Sequence, residues 1–245
     1  MVRYALVLAF VAVGLAAAAA AQPRFEKDVI PTAKGDLEIT FLGHASLMMA
    51  FDGLTIQVDP FGEAADYASL PKADLVLITH DHYDHMDLKA LKEAAKKEAV
   101  VVASKSCASK LPGAVIIGNG ETKTVCGLSI EAVPAYNIVH KRPDGQPFHP
   151  KGAGNGYIVT FGGKRVYIAG DTENTPEMKA LRSIDVAFLP MNLPYTMSPE
   201  QVADAAKAFR PKVLYPYHTG DTDTGRLIKL LQGEKEIEVR IRKMS

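Results

Sequence analysis

The chain has 245 residues, 47% of them hydrophobic, enough to bury a full core and near the upper end of what one domain holds. Lysine plus arginine balance aspartate plus glutamate at 28 each, and no basic or acidic run interrupts the chain. That balance argues against nucleic acid or an anionic membrane surface as the main partner and leaves a small-molecule substrate as the expected one. A single domain is expected over residues 22–245, with the oligomeric state open.

Residues 1–21, MVRYALVLAFVAVGLAAAAAA, carry one positive charge at Arg3, an apolar stretch from Tyr4 to Leu15 and then small residues before Gln22. This is the composition of a secretory signal cut after Ala21. An uncut anchor, which needs about 20 apolar residues, is the alternative, although polyalanine is only weakly hydrophobic. No cysteine lies near the cut to carry a lipid. The expectation is a protein exported across the inner membrane, into a periplasm where the cell has one, with no stable membrane insertion after cleavage.

Strand-like runs follow at LEITFLG, ASLMMAF, LTIQVDP and ADLVLITH, rich in β-branched and apolar residues and broken by Gly, Asp-Gly or Pro. A helix is predicted from about Asp87 to Lys97, then the strand EAVVVAS. The second half repeats the habit with LSIEAVPAY, NGYIVTFG, KRVYIAGD, IDVAFLPM and KVLYPYH. Asp52-Gly53 and Gly162-Gly163 are hairpin signals. Ser198, Pro199 and Gln201 read as N-cap, first helical position and capping-box partner of a helix that stops before Pro211. The late strands are apolar on both faces, so both faces should be covered. The order implies an α/β fold of two face-to-face sheets with helices outside. The two cysteines, Cys107 and Cys126, either close a loop of about 20 residues in an oxidising compartment or stay as separate thiols.

Four apolar runs end in a histidine or aspartate: LTIQVD at Asp59, LVLITH at His80, VYIAGD at Asp171 and VLYPYH at His218. Side chains at strand ends can converge on one spot. In THDHYDH three of the chain's seven histidines crowd together. His80, His82 and Asp84 are spaced by two and project to one side of extended backbone, whereas His85 points elsewhere. Such a loop can feed two metal ions about 3.5 to 4 Å apart. A solvated turn would explain the aspartates but not the histidines.

THDHYDH contains the H-x-H-x-D-H signature of the metallo-β-lactamase superfamily. FLGHASLMMAFDGLTIQVDP before it, HPKGAGNGYIVTFGGKRVYIAGDT after it and YPYH near the end extend the likeness over most of residues 22–245. Together they resemble the branch that holds ascorbate 6-phosphate lactonase and N-acyl phosphatidylethanolamine phospholipase D. The resemblance implies the four-layer αββα sandwich. It implies His80 and His82 as ligands of a first metal, Asp84 and His85 of a second, Asp171 as the bridging carboxylate and His218 as the last ligand of the second metal. Asp59 is implied as the carboxylate that orients a ligand histidine. A His/Asp set suits two zinc ions, and also manganese, iron or nickel.

The family normally places a third first-site histidine where this chain has Asn137, in PAYN. His149, in FHPKG, is the expected replacement, with Asn137 or water as the alternative; His140 reads as a solvated loop residue. His44 could touch substrate or a ligand, or be an ordinary hydrogen-bonded turn residue. The spacing around Lys151 is not that of a phosphate loop, Tyr195 and Tyr217 are assigned to the core, and Ser46 has no nucleophile pattern.

The implied activity is hydrolysis by a metal-activated hydroxide, with Asp84 orienting the water and shuttling a proton. The bond is of ester type, a phosphodiester, lactone or relative. Lactam cleavage is disfavoured because the branches that perform it lack the AYN and HPKG segments. An iron redox protein would be expected to carry a glutamate at His82. A non-catalytic metal- or ligand-binding protein is the other alternative, favoured only by the displaced third histidine.

Overall fold

The computed structural model describes Met1 and residues 25–244; apart from Met1, the expected signal segment lies outside the described residues. β1 (Lys27–Thr32), β2 (Gly35–Gly43), β3 (Ser46–Phe51), β4 (Leu54–Val58), β5 (Ala73–Ile78), β6 (Ala95–Ala103) and β7 (Val115–Ile116) form one sheet in chain order. β8 (Thr122–Val125), β9 (Leu128–Ala135), β10 (Gly154–Phe161), β11 (Lys164–Ile168), β12 (Val186–Pro190), β13 (Val213–Tyr217) and β14 (Glu238–Val239) form the other, again in order. In each sheet the first four strands pair antiparallel and the next three join in parallel. The two similar halves of the sequence are thus two copies of one pairing scheme.

Period-two alternation sorts the side chains. Leu75 and Leu77 of β5 enter the core between the sheets, while Val76 and Ile78 face the other way beside Leu91 of helix α1 (Leu88–Ala94). Val186 and Phe188 of β12 enter the same central core. Ala187 and Leu189 pack instead under α2 (Pro176–Lys179), α3 (Pro199–Phe209) and α4 (Thr224–Leu231). Both faces of these strands are covered, hence their unbroken apolar runs. Each such fully buried side chain contributes about 1.5–3 kcal/mol. The layers are helix, sheet, sheet, helix, as the sequence implied.

The hairpins turn as predicted. Asp52-Gly53 and Gly162-Gly163 both hold positive φ at each position, and Cys126-Gly127 makes a third such turn. Its place at a hairpin tip leaves Cys126 exposed while Cys107 is buried beside Ser104; both are free thiols, so the disulfide alternative is not realised. α3 carries the predicted capping box on Ser198 and Gln201. The helix expected over Asp87–Lys97 is shorter: Asp87 caps it and Ala95 already pairs with Ala73 in β6. Parallel pairing with β5 overrides the helix propensity of AKKEA.

Candidate metal centre

The carboxyl ends of the parallel strands carry the polar residues, as open α/β sheets do. After β4 comes Asp59, after β5 Thr79 and His80, after β11 Asp171 and after β13 His218. The loop after His80 closes tightly, with His85 N and Met86 N both donating to His82 O, which swings the His85 ring back under the strand end. Gly170, at φ +64°, lets β11 turn into Asp171; a Cβ there would lie 2.7 Å from Asn155 O and 3.0 Å from Thr79 Cβ. That close approach ties the two sheets together beneath the site, with Asn155 N donating to Thr79 O at 2.9 Å.

Ring nitrogens of His80, His82 and His149 lie within 4.8 Å of one another, and so do donor atoms of Asp84, His85 and His218, with His44 beside them. Asp171 stands between the groups. Its Oδ2 is 3.2 Å from His149 Nε2 and 3.7 Å from His218 Nε2, and its Oδ1 is 3.5 Å from His85 Nε2. Asp84 Oδ2 is 3.7 Å from His85 Nε2 and 3.6 Å from His218 Nε2. Of the strand-end residues singled out in the sequence, His80, Asp171 and His218 therefore reach one centre, and Asp59 lies behind it.

Hydrogen bonds behind these rings decide which nitrogen faces inward. Asp59, fully buried, accepts from Thr79 N at 2.8 Å, Thr79 Oγ1 at 2.6 Å and His85 Nδ1 at 2.8 Å. A carboxylate only accepts, so His85 carries its proton on Nδ1 and turns a lone pair inward on Nε2. The Thr79 hydroxyl spends its single proton on Asp59 and therefore accepts from His80 Nδ1, 3.0 Å away, which leaves the lone pair of His80 on Nε2, 3.1 Å from His82 Nδ1. His149 Nδ1 donates to Asn137 Oδ1 at 2.7 Å, with the same result. Asn137 Oδ1 also accepts from His149 N, and its amide nitrogen is held by Glu173 Oε1 and Tyr195 O. Asn137 thus orients His149 and does not itself face the centre.

Three buried atoms here have no hydrogen-bond partner: His85 Nε2, His218 Nε2 and Asp171 Oδ1. Leaving such groups unsatisfied costs about 1–3 kcal/mol each. The two histidines belong to the second donor group and Asp171 stands between the groups, so cations bound there would satisfy all three atoms; the residues fit a pair of divalent ions. The electrostatics divide: burial would lower His85, but Asp171 and Asp59 outweigh it and hold it well above its ordinary range, so a cation would displace a proton there. Burial, then the charges of His85 and His149, hold His80 well below its ordinary range, and burial with His149 lowers His82, which suits neutral imidazole donors. Burial would raise the Asp171 carboxyl, but His218 and His85 outweigh it and hold it well below the usual carboxylate range. For Asp84, burial is likewise outweighed by hydrogen bonds to His218 and His44.

The centre opens into a cleft of about 590 Å³ lined by His44, Tyr83, Asp84, Arg142, Phe148, Asn192 and Tyr195, among others. His44 Nε2 lies 2.9 Å from Asp84 Oδ2 with its ring against His218. Tyr195 lines the cleft rather than the core, because its loop leaves it 47% exposed, whereas Tyr217 is core and its hydroxyl accepts from Gly170 N. His140 is not the solvated residue expected: its Nδ1 is 2.8 Å from the buried Glu173 carboxylate. Lys151 pairs with Glu177, and Ser46 donates to Asp59 O, so neither serves the centre directly. Thr79, Glu173 and Arg142 were missed in the sequence. The first is signalled by its place directly before His80 at the strand end; the others carry no motif.

Comparison with known proteins gives a consistent result. A family model described as beta-lactamase superfamily domain matches residues 38–218. A crystal structure from Parabacteroides distasonis, named as a metal-dependent hydrolase, is 49% identical, with a TM-score of 0.86 over 90% of this chain and all of that one. A UPF0173 metal-dependent hydrolase of Thermus thermophilus is 35% identical over 193 residues, 74% of this chain and 83% of the relative. The Igni18 metallo hydrolase of Ignicoccus hospitalis is 28% identical, with a TM-score of 0.70 over 85% of this chain and 96% of that one.

Proposed function

This chain belongs to the metallo-β-lactamase superfamily, among its metal-dependent hydrolases, and from that premise we propose that it cleaves an ester-type bond of a small substrate at a two-metal centre. The orphaned, convergent atoms His85 Nε2, His218 Nε2 and Asp171 Oδ1 carry this reading, because bound cations would satisfy all three at once. His80, His82 and His149 would hold one ion, Asp84, His85 and His218 the other, and Asp171 both. Zinc suits this donor set, with manganese, iron or nickel as alternatives. When bound, the ions supply Lewis acidity and an ionised water near neutral pH.

The chain's own residues do the rest. Asp59, Thr79 and Asn137 fix three imidazoles as inward-facing donors before any ion arrives. Asp84 faces the cleft, where its carboxylate can orient the attacking water and take up a proton, while His44 donates to its Oδ2 and holds it in place. Asn192, whose amide is 3.3 Å from His218 Nδ1, and Tyr195 are positioned on the cleft wall to contact substrate. Against the non-catalytic alternative, which rested on the displaced third histidine, stands His149, whose ring nitrogen lies within 4.8 Å of those of His80 and His82.

We further propose export and signal cleavage after Ala21, resting on the Arg3 and Tyr4–Ala21 pattern alone. Among the described residues, no helix is long and apolar enough to cross a membrane. Metal analysis of purified protein, followed by chromogenic phosphodiester, lactone, carboxylic ester and lactam substrates, tests the activity. Two ions and turnover of an ester are expected; a metal-loaded protein inert to every ester would overturn the reading.

A further inference from the structure

We propose that Arg142 forms an anion-binding subsite in the cleft, so that the natural substrate bears a carboxylate or phosphate set apart from the bond that is cleaved. This rests on the hydrolase reading and adds the substrate's charge to it. Arg142 is the one permanent cation among the described residues that line the cleft. Nearby lysines are committed elsewhere: Lys110 pairs with Asp81 at 2.8 Å and Lys151 with Glu177 at 2.8 Å. Arg142 has no carboxylate within 4.0 Å among the described residues.

The guanidinium is nonetheless held. It sits 5.3 Å from the Phe148 ring centroid, and one of its nitrogens donates to Phe148 O at 3.3 Å. The backbone beneath it is a small closed hairpin. Arg142 N donates to Gln146 O at 2.7 Å, Gly145 N donates to Arg142 O at 2.9 Å, and Lys141 bridges to Pro147. The same segment leads directly into His149, so the cation is registered against the metal-binding ring. One side of a planar, five-donor fork is spent on the backbone, and the other donors remain for a ligand. Phe148 and Tyr195 meet edge to face at 5.1 Å and form an apolar wall beside it. A charged group placed against Arg142, with carbon chain along that wall and the reacting bond over Asp171, fills the cleft with complementary chemistry.

Binding of non-hydrolysable probes to the metal-loaded protein tests this without needing turnover. Acetate can use only the metal centre. Straight-chain dicarboxylates from succinate to adipate, and phosphonocarboxylates of matching length, can reach both the centre and Arg142. Calorimetric titration should show at least one length binding about tenfold or more tighter than acetate, as a charge-assisted pair implies. Arg142→Ala should bring that probe to within about threefold of acetate, and Arg142→Lys should fall between, because the charge stays but the fork is lost. Whichever series loses more identifies the anion as carboxylate or phosphate. Unchanged binding of every probe by Arg142→Ala, or a wild type that binds none of them better than acetate, overturns the subsite. Probe binding with no ester turnover would instead retain the subsite and reject the hydrolase reading.

Discussion

Asn137 Oδ1 accepts from His149 Nδ1 at 2.7 Å while His149 O accepts from Asn137 N at 2.9 Å, so the two residues clasp each other across a separation of 12 positions. The clasp turns His149 Nε2 toward Asp171 Oδ2, 3.2 Å away. Behind it, Glu173 Oε1 holds the Asn137 amide and its two oxygens accept from the backbone of Ile138, Val139 and His140.

Asn137→Ala should therefore keep the fold and weaken metal binding. Loss of an orienting partner typically costs 10–100-fold in metal affinity. Competition with a chromophoric chelator measures it, and wild-type affinity in the variant would show that the clasp is dispensable.

Thr79→Val tests the second orienting route. Valine fills the same volume but cannot pass the hydrogen bond from His80 to Asp59, so metal affinity should fall by a similar factor and stability by about 1–3 kcal/mol. Urea unfolding and metal titration together check it; loss of one without the other would contradict the relay.

The loop His80–His85, Asp171 and His218 was legible in the sequence because each is a polar residue ending an apolar strand, and strand ends on parallel strands must share an edge. His149 was half legible: the gap at Asn137 was visible, but only the fold shows that the asparagine side chain bonds to His149. Glu173 and Arg142 were illegible because their roles depend on what a loop folds against. The shortened α1 shows the same limit, since AKKEA favours helix until β5 offers a parallel partner. The pairing of Cys126 stayed open in the sequence, and the fold places it as the first residue of a turn at positive φ.

The thiols offer a simple check. Cys126 is exposed and Cys107 buried in the α1 side of the core. A thiol reagent should label one cysteine rapidly in the native protein and the second only after unfolding. No labelling before reduction would contradict the free thiols.

Asp28 in β1 joins the first sheet to the C-terminal segment. Arg242 engages both its oxygens at 2.7 Å, and Tyr215 and Arg240 also bond to it. Burial alone would raise its carboxyl, but these partners outweigh burial and hold it below the ordinary range. A depressed carboxylate stabilises the fold above its unfolded pKa, and the gain is lost as pH falls through the folded value. Asp28→Asn should thus be less stable than wild type at pH 7 by about 1 kcal/mol after solvent screening. The gap should shrink in strongly acidic solution. A gap that widens as pH falls would contradict the assignment.

Metal content of the purified, dialysed protein tests the two-metal account most directly, with His149→Ala beside the wild type. The account predicts two divalent ions per wild-type chain and one per variant chain, with the variant still folded by circular dichroism. Two ions retained in His149→Ala, or none bound by the wild type, would contradict it.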